Sequence, residues 1–199
     1  MFLNKTRLKA MIKSAYKWEG LFVGRIYGGL VVAGGSWVTW TEDGYVPNWL
    51  KAAVMEHTGE LPGPETAILA KKNEPVQYEV ADCPAYNLPQ MRKECTQAWT
   101  VTPVVSRGQY SEIRFLQKTG HPDLIKAMAE SFYGVIDFSE LGEESRPSGP
   151  ASVSENGFLV WKNEHSAYAC LPLDGVGDGD RRIMDALKTV DFGKFVEVI

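Results

Sequence analysis

Long apolar runs are missing from this chain of 199 residues. The longest stretch without a charge, residues 26–41, carries four glycines and falls short of the ~20 apolar residues that a spanning helix needs. Charges at Lys5, Arg7, Lys9 and Lys13 interrupt the N-terminal segment where the apolar region of a signal peptide would lie. The expectation is a protein of the cytoplasm with no membrane partner. Cysteine is scarce: Cys83, Cys95 and Cys170 are odd in number, without a close pair, and read as reduced thiols. Histidine is scarcer in effect, because His57, His121 and His165 lie far apart. No His-x-x-x-His or Cys-x-x-Cys pair exists, so a zinc site would have to gather its ligands from distant segments. An excess of positive charge is also lacking. Lys and Arg total 21 against 25 acids, for a net charge of −4, which excludes a protein coated with basic residues but leaves room for a local basic face.

Catalytic and cofactor signatures are equally thin. Gly34-Gly35-Ser36-Trp37-Val38 lacks the last glycine of a nucleophile elbow, and Ser14-Ala15-Tyr16-Lys17 fits Ser-x-x-Lys only at chance frequency. No glycine loop continues into Gly-Lys-Ser/Thr. No cofactor is expected from these patterns.

With 44% apolar and 23% charged residues, the chain can build an ordinary core. Its organisation reads as an internal duplication. Residues 7–16, RLKAMIKSAY, share Lys, Ala, Met, Ser and Tyr at corresponding positions with residues 124–133, LIKAMAESFY, so both read as helices. An apolar start, Met1-Phe2-Leu3, precedes the first; an alternating stretch, Tyr110 to Leu116, precedes the second. Strands follow each helix, Leu30 to Trp40 with a Gly-Gly turn in one case, Phe158 to Leu171 around Lys162-Asn163-Glu164-His165 in the other. A further helix closes each unit, one starting at Pro47 and stopping near Gly59, the other capped by Asp180 and carrying Ile183, Met184 and Leu187. The prediction is an α+β fold of duplicated strand–helix–strands–helix units, packed as one domain with a mostly antiparallel sheet. Residues 1–62 form the first unit and 109–199 the second. Residues 63–108 are a proline-rich connection with strands at Val76–Val80 and Ala98–Val105, and Glu143 to Pro150 reads as an exposed loop.

The start Phe2-Leu3-Asn4-Lys5-Thr6-Arg7-Leu8-Lys9-Ala10 and the paired strands from Gly157 to Pro172 resemble the half-domain repeat of DNA sliding clamps, the bacterial DNA polymerase III β clamp in particular. That resemblance implies a clamp-like fold, helices presenting basic side chains to DNA, an apolar pocket for partner peptides, and a role in replication of a bacterial or mobile element. The chain departs from the family in being long enough for a single clamp domain, in the extra helix of each unit and in its proline-rich middle.

Lys5, Lys9, Lys13 and Lys17 recur every four residues on the first helix, opposite Leu8, Met11, Ile12 and Ala15. Such a row could track a phosphate backbone, and it could equally be the solvated face of an amphipathic helix. The second unit has Asp123, Lys126 and Glu130 instead, so the stripe is not duplicated. Six tryptophans are many for this length; Trp37 and Trp40, three apart on a strand, should point to opposite faces, one into the core and the other free to stack on a base or anchor a partner. Asp174, Asp178, Asp180 and Asp185 partly follow a calcium-loop template, but Val176 and Arg181 break it, and a flexible acidic turn explains them as well. Three functional readings stay open. One is a non-enzymatic binding or scaffold protein, acting on nucleic acid or a protein partner through the lysine face or an apolar groove between the units. Another is a small enzyme with His57, Cys83 or His165 in a cleft, which a low thiol pKa at Cys83 or Cys170 would favour. The last is a homo-oligomer assembled through exposed strand edges.

Overall fold

The computed structural model describes residues 1–80, 84–108, 112–139, 146–155 and 157–194. The chain opens on α1 (Lys5–Trp18), a helix whose origin is local. The Asn4 side chain accepts from the backbone N–H groups of Thr6 and Arg7 at 3.1 Å each, which satisfies two donors the first turn leaves without partners. Leu8, Ile12 and Ala15 fall on one side and are buried. Burying Leu8 and Ile12 stabilises by ~1.5–3 kcal/mol each. The helix stops where Glu19 and Gly20 both donate to the Ala15 carbonyl, Gly20 taking a φ of 106°.

Three antiparallel strands follow: β1 (Leu21–Ile26), β2 (Gly29–Ala33) and β3 (Trp37–Glu42). Tyr27 and Gly28, with φ of 56° and 71°, make the two-residue turn whose positive φ values match the twist of a hairpin. Next come α2 (Asn48–Thr58), β4 (Thr66–Ala70), β5 (Gln77–Val80), the short α3 (Leu88–Glu94) and the long β6 (Gln97–Arg107). The chain continues through β7 (Glu112–Lys118), β8 (His121–Ala129) and the single turn α4 (Glu130–Tyr133). It ends with β9 (Ser148–Ser152), β10 (Leu159–Lys162), β11 (Ser166–Cys170) and α5 (Asp178–Leu187).

The strands join in one sheet of eleven, ordered β5-β4-β1-β2-β3-β11-β10-β9-β6-β7-β8, and every pairing is antiparallel. The expected α+β class with a mostly antiparallel sheet is what the chain forms. An early strand and a late one meet in the middle of the sheet, where β3 pairs β11 from Trp37↔Cys170 to Thr41↔Ser166. One face carries α1, α2 and α4 over a core that includes Leu8, Val23, Leu50, Trp99, Trp161 and Tyr168. On the other face, Leu88 of α3 packs with Ile26, Val38 and Trp40, and Leu187 of α5 with Phe115 and Ala127. Trp37 and Trp40 do point to opposite faces, but both are buried, because helices cover both sides.

Several expectations are corrected. Residues 124–133 are not a helix matching α1: most of them belong to β8, and α4 has 4 residues against the 14 of α1. Period two decides this, because Ile125 and Ala127 join Phe115 on one face while Met128 joins Leu116 on the other. Pairing with β7 from Ile113 to Lys118 completes that arrangement, which a lone helix there could not do. The proline-rich connection contains β4 and α3 in addition to the two expected strands. Residues 148–150 are the start of β9 and not loop, while 140–145 and Tyr110-Ser111 fall outside the described residues. Pro47 precedes its helix as the capping residue, and Gly177 takes that place in α5, with Asp180 inside the first turn, where its charge favours the positive end of the helix.

Candidate nucleic-acid interface

α1 carries five cations, Lys5, Arg7, Lys9, Lys13 and Lys17, and no acid. In a protein of net charge −4 that is a local inversion of sign. All four lysines are exposed, and among the described residues none of them forms an ion pair. Over twelve residues the row covers about 18 Å of helix and turns through about 120°. Lys17, in the last turn, suits the helix dipole, but the N-terminal end of the row works against the helix that bears it. Lys5 and Arg7 put positive charge in a first turn that has no acid, where the helix dipole favours the opposite sign. Lys5–Lys9, Lys9–Lys13 and Lys13–Lys17 are like-charge pairs four apart, each unfavourable by ~0.2–0.5 kcal/mol.

The tertiary fold brings a further cation to this helix. The loop after β4 returns to the C-terminal end of α1, where the Lys72 N–H donates to the Tyr16 carbonyl at 2.8 Å and leaves the Lys72 side chain exposed. Nothing in the primary structure relates position 72 to α1 beyond two lysines following an apolar strand. Lys71 beside it is neutralised by Glu74 at 2.8 Å. Trp18, the last residue of α1, is 75% exposed, the most of any large apolar side chain described. The adjacent Glu19 carboxylate is tied down, accepting from the Gly35 N–H at 2.8 Å.

α2 packs along one flank of α1, with His57 stacked on Tyr16 at 4.6 Å between ring centres. Burial pushes the His57 imidazole pKa down; Glu56 pulls it up, and Lys13 adds to the downward push. On the other flank a groove of about 460 Å³ runs between α1 and α4, lined by Met11, Trp37 and Phe132 with Arg7 and Glu19 among the polar groups.

The remaining candidates are not brought together. His165 sits at the β10–β11 turn, its Nδ1 2.7 Å from Glu42 Oε2 and its ring stacked at 3.4 Å on Tyr45. His121 begins β8 and is exposed. Cys83 lies outside the described residues. Cys95 and Cys170 belong to cores on opposite faces of the sheet. Burial raises the Cys95 thiol and pushes Cys170 up to about 12, so neither is poised as a thiolate. Asp174 lies in an exposed loop, Asp178 pairs with Arg181 at 3.5 Å, Asp185 with Lys188 at 2.8 Å, and Asp180 stays in the first turn of α5. Among the described residues no three His, Cys, Asp or Glu side chains gather as a metal site. No described helix is long and apolar enough to cross a membrane.

No protein-family model matches the chain, and no curated protein does. Among solved structures it is similar to the β subunit from DNA polymerase of Streptococcus pyogenes, at 10% identity and a TM-score of 0.31, over 90% of this chain. The match spans 66% of that protein's length. The resemblance is a weak one, and it fixes neither the fold nor the activity of this chain.

Proposed function

We propose that this protein is a non-enzymatic binding protein that holds nucleic acid by its phosphate backbone, along the exposed face of α1, without reading sequence. The observation that carries this reading is the exposed row Lys5, Lys9, Lys13 and Lys17, which has no ion pair among the described residues and whose N-terminal member opposes the helix dipole. Lysines are point charges that grip phosphates, and phosphate contacts position a protein without carrying sequence information. An anionic membrane would attract the same charges. A helix that lies in a membrane surface must, however, give its apolar face to lipid, and that face of α1 is buried in the core through Leu8, Ile12 and Ala15.

Salt dependence tests the proposal. Four phosphate contacts on B-DNA give log affinity a slope of about −3.6 against log salt, so raising salt from about 50 to 200 mM weakens binding about 100-fold. Lys9→Glu with Lys13→Glu should lower affinity and bring the slope to about −2 or shallower. The control pair Lys93→Glu and Arg181→Glu makes the same change in total charge on α3 and α5, across the sheet, and should have a much smaller effect. Equal effects of the two pairs, or an unchanged slope in the α1 pair, would refute the assignment.

A further inference from the structure

Resting on the phosphate-binding reading of α1, we infer that the ligand this face selects is a single strand, and that Trp18 stacks on one of its unpaired bases. Five of the six tryptophans behave as core residues do: Trp37, Trp40, Trp99 and Trp161 are buried and Trp49 is half-buried. Trp18 is 75% exposed. Among the described residues it stacks on no ring and lies under no cation. An indole left in water forgoes the burial that gives this side chain most of its stabilising value, so the fold does not account for it.

Its position relative to the cations gives it a partner. Lysines four apart advance about 40° each around a helix, so the row winds toward the side on which Trp18 stands, about 100° beyond Lys17 and one residue further along. Lys17 precedes it in the chain, and Lys72 is held at the same end of α1 by its bond to Tyr16. A backbone following the lysines from Lys5 to Lys17 therefore leads toward an open aromatic face one residue beyond the last of them. Glu19, the one acid beside it, is engaged with Gly35. Within a duplex the faces of the bases are covered by their neighbours, whereas in a single strand they are free, and every base offers a face to stack. A protein partner would also accept an exposed tryptophan, but the lysine row that leads toward it selects a polyanion.

The experiment compares a labelled oligothymidylate with a hairpin duplex of the same phosphate number, by anisotropy across a salt series. The oligothymidylate should bind the more tightly. Trp18→Ala should weaken it about 5- to 150-fold, the span measured for one base–aromatic stack, with the salt slope unchanged and the duplex little affected. Trp18→Phe should recover most of the loss, and thermal melting should show both variants folded. On binding, the solvent-exposed part of the tryptophan emission should be quenched in the parent protein and not in Trp18→Phe. If Trp18→Ala leaves single-strand affinity intact while Lys9→Glu with Lys13→Glu abolishes it, the stacking role is overturned and the phosphate grip survives. An equal loss for both ligands with Trp18→Ala also overturns the single-strand preference. If neither change alters binding, both readings fall.

Discussion

Replacing Lys5 by Glu should make the protein more stable while making it a poorer binder. Lys5 is the first residue of α1, exposed, with no acid in its turn and another lysine four residues on. Two electrostatic terms reverse sign together. A cation at the positive end of the helix becomes an anion there, a swing of ~0.6–2 kcal/mol if each sign contributes ~0.3–1. The repulsion with Lys9 becomes a Glu–Lys pair in the favourable orientation, a further ~0.4–1 kcal/mol. Exposure keeps the sum toward its lower end, about 1.5 kcal/mol, which for a chain of this size raises Tm by roughly 3–6 °C. Calorimetry at ~10 mM salt should show that rise, and Lys5→Gln about half of it. Near 1 M salt, where the screening length falls to ~3 Å, most of the gain should vanish. Affinity for DNA at low salt should fall in the same variant. A Tm that does not rise, or a rise that persists in high salt, would show that the charge row is not the burden on α1 that its geometry implies.

Two further outcomes bear on the scaffold. The buried Gln117 amide donates to the carbonyl of Val190 at 2.7 Å and of Pro122 at 3.0 Å, and its carbonyl accepts from the Phe192 N–H at 2.8 Å, so it fastens the end of α5 to β7. Gln117→Ala strands these groups and should cost about 2–3 kcal/mol in denaturant unfolding, with limited proteolysis appearing first near residues 174–194; a variant as stable as the parent would count against the anchor. Burial holds the Cys170 thiol up at about 12 against 9.0 for a free thiol, and keeps Tyr168 well above its ordinary value. Raised folded values mean stability that is complete below pH 9 and drains away as pH climbs toward 12, because the unfolded chain releases those protons first. Between pH 9 and 11 Cys170 alone should account for about 2 kcal/mol, and Cys170→Ala should flatten the alkaline limb of the stability profile; an unchanged limb would exclude this thiol as its cause.

α1 was legible because everything that specifies it is local: Asn4 caps it, Leu8, Ile12 and Ala15 form its buried stripe, and charges fill the rest. The β2–β3 and β10–β11 hairpins were legible for the same reason, through turn residues between apolar runs. Residues 124–129 were misread because LIKAMA satisfies both a helical spacing and a strand alternation, and only the pairing with β7 chooses between them. β4 and α3 went unseen because prolines nearby suggested loop, while Leu88 and Ile68 show that the segment contributes buried side chains to the fold.

By itself, then, the amino-acid order determined the class of the fold and the basic helix, since each of these depends on composition or on residues within a few positions of one another. Only the tertiary structure decided that β3 lies beside β11, that Lys72 is brought to the end of α1, and which tryptophan is left in water. The strand pattern around Trp37 and Trp40 pointed to one of them as the free aromatic, yet helices on both faces of the sheet bury the two, and it is Trp18, past the last contact of its helix with the core, that stays open. Burial is a property of what packs against a residue, and that partner is chosen by long-range pairing which no local window contains.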